Sequence, residues 1–298
     1  MNKDLLTLND LTRDDLEKIF EFSTKLKQER GKVSYTPLAG KSIGLIFAKS
    51  STRTRVSFEV GVNELGGTAL YLDQGKMQVG RGETIADTAN VLSRYLHGIV
   101  IRTFSQAGIE ELARVASIPV ITALTDDYHP CQIVADLLTI KEYSGKVDSS
   151  VRVAFYGDGK SNIANSLILA AKLTGIELVI SSPESVGMNE HIAAGAPNVI
   201  WEKDPIKAAE GVDYFYTDVW VSMGFEEERE ERMKIFRPYQ VCSKLFDYAK
   251  KDAKFLHCLP AHRGEEVSAD VMDSARSIVF DEAENRLHVQ KAIMSMLF

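Results

Sequence analysis

At 298 residues, with a formal charge of −7, the chain exceeds the usual single-domain size, and its acidic balance speaks against nonspecific nucleic-acid binding. Hydrophobic residues at 45% and charged residues at 26% suit a globular protein with a sizeable core. No stretch approaches the ~20 apolar residues of a membrane span, and an opening segment with acids among its apolar positions reads as neither a signal nor a transit peptide. Cys131, Cys242 and Cys258 are odd in number and widely spread, which fits a reducing cytoplasm and gives no zinc-ligand spacing.

Along the chain, residues 11–30 repeat apolar positions at helical spacing and predict a packing helix. A short apolar run at 43–47 predicts a buried strand, and helical spacing resumes at Val56 and stops at Gly66-Gly67, a pair suited to a helix end. A strand follows at 68–72. Three glycines in nine residues make 74–82 a mobile loop. Helices at 83–96, 107–116 and 131–143 then alternate with strands at 99–103 and 120–124. After a junction at 147–150 the pattern restarts, with strands at 151–156, 177–180, 198–201, 214–217 and 255–256 and a helix at 162–173. Such alternation predicts an α/β protein of two doubly wound domains, each a parallel sheet flanked by helices. The first is expected over 1–142 and the second over 147–282, with an apolar-rich helix at 283–298 packing back on the first. Glu226 to Arg232 is a charge run expected on a solvated helix face.

Between the first strand and its helix lies FAKSSTRTRVSFE, residues 47–59. A strand-to-helix turn presents backbone N–H groups and the positive end of the helix dipole. Here it adds the hydroxyls of Ser51, Thr52 and Thr54 and the guanidinium groups of Arg53 and Arg55, a set suited to a phosphate. In parallel sheets ligands lie beyond the carboxyl ends of strands. There the chain carries Arg102, His129-Pro130-Cys131-Gln132, Asn162, Asp218 and His257-Cys258-Leu259-Pro260. Singly, each has a plainer reading: a helix cap for His129, a structural salt bridge for Arg102, a small buried hydrophobe for Cys258, a lysine partner for Asp218. The turn GDGKSN at 157–162 fails as a dinucleotide fingerprint, since Asn162 occupies the third glycine position and Ser181-Ser182 stand where an acid should meet the ribose. No GxxxxGK[ST] string occurs, which argues against a kinase.

SSTRTR, HPCQ, DVWVSMG at 218–224 and HCLPAHRGEEV at 257–267, in this order, resemble the ornithine carbamoyltransferase family, and the likeness runs on to AENRLHVQKA near the end. Aspartate carbamoyltransferases are similar in the first half, but generally carry HPLPR where this chain has HCLPAHRG. The resemblance implies transfer of the carbamoyl group of carbamoyl phosphate to the side-chain amine of L-ornithine, giving citrulline and phosphate in arginine biosynthesis, without cofactor or metal. Ser51, Thr52, Arg53 and Thr54 would hold the phosphate, joined by Gln78 across a subunit boundary of a homotrimer. Arg102, His129, Pro130, Cys131 and Gln132 would surround the carbamoyl end, with Cys258, Leu259 and Arg286 completing the pocket. Asn162, Asp218, Ser222 and Met223 would hold ornithine, and Arg102, His129, Cys258 and Asp218 would serve the chemistry. Neither nucleic acid nor membrane is implied. A carbamoyltransferase for another amine, such as putrescine or an acylated ornithine, a noncatalytic phosphate-metabolite binder on the same fold and, more distantly, a nicotinamide oxidoreductase are the alternatives.

Overall fold

The computed structural model describes residues 2–78, 82–221 and 226–298. Contacts divide it into one unit of Met1–Leu138 with Glu284–Phe298 and another of Thr139–Ala283. The first unit contains α1 (Arg13–Gln28), β1 (Ser42–Phe47), α2 (Thr52–Glu64), β2 (Thr68–Asp73), α3 (Ile85–Tyr95), β3 (Gly98–Arg102), α4 (Gln106–Val115) and β4 (Val120–Leu124). The chain leaves it within α5 (Pro130–Ser144). The second unit holds β5 (Arg152–Tyr156), α6 (Asn162–Thr174), β6 (Glu177–Ser181), α7 (Glu190–Ala193), β7 (Val199–Glu202), α8 (Pro205–Ala209), β8 (Tyr214–Thr217), α9 (Arg229–Phe236), β9 (Lys254–His257) and α10 (Ala269–Met272). From Glu284 onward α11 (Val279–Leu297) belongs to the first unit.

Both sheets are parallel, in the order β2-β1-β3-β4 and β7-β6-β5-β8-β9. Helices cover them, so β3 is buried at every position and β1 at all but its first, which is why these strands read as unbroken apolar runs. One core cluster joins Ile46, Ile99, Ile101 and Ile109 in the first unit, and another joins Tyr156, Phe215, Phe246 and Phe255 in the second. Gly44 must lack a side chain, because a Cβ there would lie 2.6 Å from the Leu96 methyl. Ser51, Thr84, Ser105 and Ser161 begin α2, α3, α4 and α6, each accepting a hydrogen bond from the backbone N–H three residues on, so local chemistry fixes where helices follow strands.

Strand order places the ligand-facing ends. In the first unit the chain moves from β1 outward to β2, then returns to the far side of β1 as β3. In the second it moves from β5 through β6 to β7, then returns beside β5 as β8. These reversals, β1 against β3 and β5 against β8, are the switch points where a crevice opens beyond the strand ends.

The expected loop over 74–82 is a short turn at Gln74–Lys76, with Asp73 accepting from the Gly75 N–H at 3.0 Å; residues 79–81 lie outside the described residues. The last helix starts at Val279, four residues before its expected start. Asp281 and Glu282 occupy its first turn, where the dipole favours acids, and Val279 is buried beneath them.

Candidate active site in two halves

At the first switch point, Phe47 at the end of β1 pairs with Arg102 at the end of β3, and the Ala48 N–H donates to the Arg102 carbonyl at 2.8 Å. The turn into α2 is therefore tied to the strand that carries Arg102. Ser51 Oγ accepts from the Thr54 N–H at 3.3 Å, while Thr52 and Arg53 are exposed at the start of the helix. Thr54 is buried, and Arg286 Nη2 donates to its Oγ1 at 2.7 Å. Arg102 and Arg286 are both buried nearly completely. Two buried guanidinium groups are thereby gathered in the unit that carries the start of α2, surroundings that suit an anion.

His129 belongs to the same cluster. It is buried, and Pro130 opens α5 directly after it, a position where the missing N–H of proline is harmless. Burial first, then the charges of Arg286 and Arg102, hold the His129 imidazole well below its ordinary pKa of 6.5, so the ring is neutral at physiological pH. A neutral ring keeps one N–H to donate and one nitrogen to accept. Cys131 is turned elsewhere: its thiol donates to the Thr122 carbonyl of β4 at 3.5 Å, and burial pushes its pKa up to about 12. What Cys131 presents near the helix start is its backbone. Gln132 is fixed by Asp136, one turn on, whose Oδ1 accepts from Nε2 at 2.7 Å. Gln78 is exposed.

In the second unit, Asn162 begins α6 just beyond β5, and Asp218 follows β8, so the two flank the second switch point. Cys258 follows β9, whose His257 pairs with Thr217. The Cys258 thiol donates to Asp218 Oδ1 at 3.1 Å, and the Val219 N–H donates to the same oxygen at 2.7 Å. Burial raises the Asp218 pKa; His257 and the thiol and N–H donors oppose the rise. Ser222 and Met223 lie outside the described residues.

Reading by residue type missed the support beneath Cys258. The Leu259 N–H donates to His257 Nδ1 at 2.9 Å, which leaves the ring proton on Nε2, 3.2 Å from Glu266 Oε1. The His257 N–H donates to Glu282 Oε2 at 2.8 Å, and all three side chains are fully buried. Burial raises the Glu266 pKa, yet donation from His257 and the His262 N–H lowers it overall. This network holds Leu259 in a left-handed conformation at φ 59°, rarely adopted by a branched residue. Asp218, His257 and Cys258 bring potential metal-ligand atoms within 4.8 Å of one another, as do His262, Glu265 and Glu266. In the first set both ring nitrogens of His257 are already engaged, by the Leu259 N–H and Glu266, while Cys258 and Asp218 bond each other.

The GDGKSN turn is closed by the chain itself. A Cβ on Gly159 would lie 2.2 Å from the Gly187 carbonyl oxygen, which accepts from Ser182 Oγ at 2.6 Å. Backbone occupies the space in which a Rossmann turn receives a pyrophosphate.

One parallel-sheet unit thus gathers buried Arg102, Arg286 and His129, and the other pairs a carboxylate with a thiol at its switch point, groups of the kind a transferase of small anionic and amine substrates uses. Family models match along most of the chain: the aspartate/ornithine carbamoyltransferase carbamoyl-P binding domain over residues 3–142 and the Asp/Orn binding domain over 149–297. An ornithine carbamoyltransferase of Syntrophus aciditrophicus is 52% identical over all of both chains, and one of Oceanobacillus iheyensis is 50% identical over 99% of this chain and 94% of its own. The solved ornithine carbamoyltransferase of Pyrococcus furiosus superposes with a TM-score of 0.93 at 47% identity, covering 99% of this chain and 96% of its own. The chain belongs to the aspartate/ornithine carbamoyltransferase family.

Proposed function

We propose that the protein transfers the carbamoyl group of carbamoyl phosphate to the side-chain amine of L-ornithine, releasing citrulline and phosphate. The observation that carries the reading is neutral, buried His129 set among Arg102, Arg286 and Thr54 at the start of α5. Full-length likeness to ornithine carbamoyltransferases accompanies it.

The phosphate is held by Ser51, Thr52, Arg53 and Thr54, using the first N–H groups of α2 and its dipole as well as side chains. Arg102, His129 and the Thr54 hydroxyl donate to the carbonyl oxygen as negative charge builds there. Neutral His129 suits that task, since a neutral donor adds no third cation to Arg102 and Arg286. Arg286 positions Thr54, while Gln132 and the backbone of Pro130 and Cys131 line the carbamoyl end. The leaving group is already activated, so the chemistry asks for positioning and electrostatics, without cofactor or metal.

Ornithine is held by Asn162, Asp218, Ser222 and Met223. Its side-chain amine resembles lysine, with a pKa of about 10.4, so presenting it neutral at pH 7 costs roughly 4.6 kcal/mol. Burial lowers such a pKa, and Asp218, whose own pKa is raised, is the acceptor for the departing proton. Cys258 steadies that carboxylate through its 3.1 Å bond. As the amine attacks, its nitrogen bonds the carbamoyl carbon, the bond to phosphate oxygen breaks, and the phosphate leaves on Arg53 and α2.

The protein works in arginine biosynthesis in the cytoplasm. The three cysteines are unpaired thiols, in keeping with a reducing compartment, and no helix of the described residues is long and apolar enough to cross a membrane. It assembles as a homotrimer in which Gln78 reaches a neighbouring subunit's phosphate. Edge strand β2 supports this, with Leu70 and Tyr71 exposed, Val56 exposed on α2, and Arg55 stacked 3.9 Å from the Tyr71 ring.

Arg53→Ala and Asp218→Ala, compared in a citrulline assay, test the division of labour. Arg53→Ala removes most carbamoyl phosphate affinity and leaves the KM for ornithine near wild type, whereas Asp218→Ala acts chiefly on ornithine. Equal loss of both affinities in each variant would contradict the reading.

A further inference from the structure

The charge run that leads into α9 and forms its first turn separates into two parts. Residues 227–231 are exposed, as a solvated face requires, but the Arg232 side chain is only 15% exposed. Its Nε donates to the Trp220 carbonyl at 2.6 Å, and its Nη2 donates to Asp158 Oδ2, also at 2.6 Å. These partners belong to different strand-end loops. Trp220 lies two residues beyond Asp218 in the segment leaving β8, and Asp158 lies in the turn leaving β5 that ends at Asn162.

Each loop is stiff around its contact. Asp158 Oδ1 accepts from the Lys160 N–H at 3.0 Å, and its carbonyl accepts from the Ser161 N–H at 3.0 Å, which shapes the turn into α6. The Trp220 ring is buried, stacks on Phe236 with centroids 6.3 Å apart, and covers Gly157, where a Cβ would lie 3.6 Å from the indole. The guanidinium lies 5.1 Å from the Phe236 ring centroid. A planar fork that donates in two directions is a property of arginine; an ammonium is a point donor on a flexible stem.

We propose that Arg232 is a positioning residue for the amine substrate, a clasp that sets the distance between the Asn162 turn and the Asp218 segment by binding Asp158 with one arm and the Trp220 carbonyl with the other. The inference rests on the ornithine reading of that switch point. It acts through those two loops and makes no contact with reacting atoms of its own. Losing the clasp lets the two ornithine contacts drift apart, so substrate affinity suffers before the chemical groups do. The phosphate-holding residues Ser51, Thr52, Arg53 and Thr54 belong to the other unit and are unaffected.

The test measures citrulline formation by the full-length wild type, Arg232→Lys, Arg232→Gln, Asp158→Asn and the Arg232→Gln/Asp158→Asn double variant, varying each substrate in turn. The KM for ornithine is expected to rise roughly 10- to 100-fold in Arg232→Gln and less in Arg232→Lys, matching the loss of charge-assisted hydrogen bonds. The KM for carbamoyl phosphate stays within about twofold of wild type, and kcat falls less than ornithine affinity. The double variant is no worse than about twice Arg232→Gln, because Asp158 acts through the same arm. A purely structural role predicts a lower melting temperature and fewer active molecules, with both KM values unchanged. That pattern, or an equal rise in both KM values, would overturn the proposal. Should Arg232→Gln fail to fold, Asp158→Asn still removes one arm, and an unchanged KM for ornithine in it would overturn the proposal equally. A wild type that makes no citrulline would overturn the ornithine reading itself, whereas an active wild type with insensitive variants removes the clasp alone.

Discussion

Replacing Arg286 with methionine probes the anion half of the site where it is most deeply built. The side chain is buried, and its Nη2 donates to Thr54 Oγ1 at 2.7 Å. Methionine keeps an apolar stem of similar length and removes both the charge and the donor. A hydrogen bond involving a charged group contributes about 1.5–3 kcal/mol, so the KM for carbamoyl phosphate rises by roughly 10- to 100-fold. Stability moves less, because the unpaired Thr54 hydroxyl is offset by removal of a buried charge. The same substitution removes the second of the causes that keep His129 neutral, after burial, so the His129 pKa rises toward 6.5 while staying below it. Initial rates against carbamoyl phosphate concentration measure the first effect, and a ring-proton NMR titration measures the second. A KM within about threefold of wild type, together with an unmoved His129 titration, would refute the assignment of Arg286 to this cluster.

Three further outcomes follow from the geometry. Cys258→Ala removes the thiol donor to Asp218 and is expected to lower kcat/KM for ornithine roughly tenfold with little change in carbamoyl phosphate KM; steady-state kinetics showing the reverse split would contradict the pairing. His129 and His288 both have lowered pKa values through burial. Below about pH 6.5 the unfolded chain binds protons that the folded chain refuses, so stability falls by up to ~1.4 kcal/mol per pH unit for each. Urea midpoints between pH 7.5 and 5.5 measure this, and an identical slope in His129→Asn would remove His129 from the account. Gly159→Ala drives a methyl to 2.2 Å from the Gly187 carbonyl oxygen and is expected to cost about 1–3 kcal/mol, seen as a drop of about 2–4 °C in Tm per kcal/mol; an unchanged Tm would show that the 183–187 backbone yields freely.

The alternation of apolar runs and helical spacing made both sheets legible, because strands covered on two faces must be apolar throughout and helices over them must be amphipathic. Capping residues such as Ser51 and Ser161 marked where helices begin, and the polar residues at strand ends marked the switch points. Short α7, α8 and α10 escaped notice, since four or five residues carry no periodicity. Contacts made between distant segments were also hidden. Thr54 and Arg286 are 232 positions apart, and the contact exists only because α11 returns to the first unit. Glu266 reads as one acid in a polar string, and only the fold buries it against His257. Asp136 had a local signal, standing one helical turn from Gln132. Arg232 had none, because nothing in a run of charges distinguishes the one that turns inward.

The most direct measurement offers the purified protein carbamoyl phosphate with ornithine, putrescine, N-acetylornithine or aspartate in turn and quantifies both phosphate and carbamoylated product. The account predicts one citrulline per phosphate with ornithine, turnover rising with pH through the neutral range as the amine deprotonates, and little product with the other three. Preferential carbamoylation of putrescine, N-acetylornithine or aspartate, or phosphate release without citrulline, would contradict it.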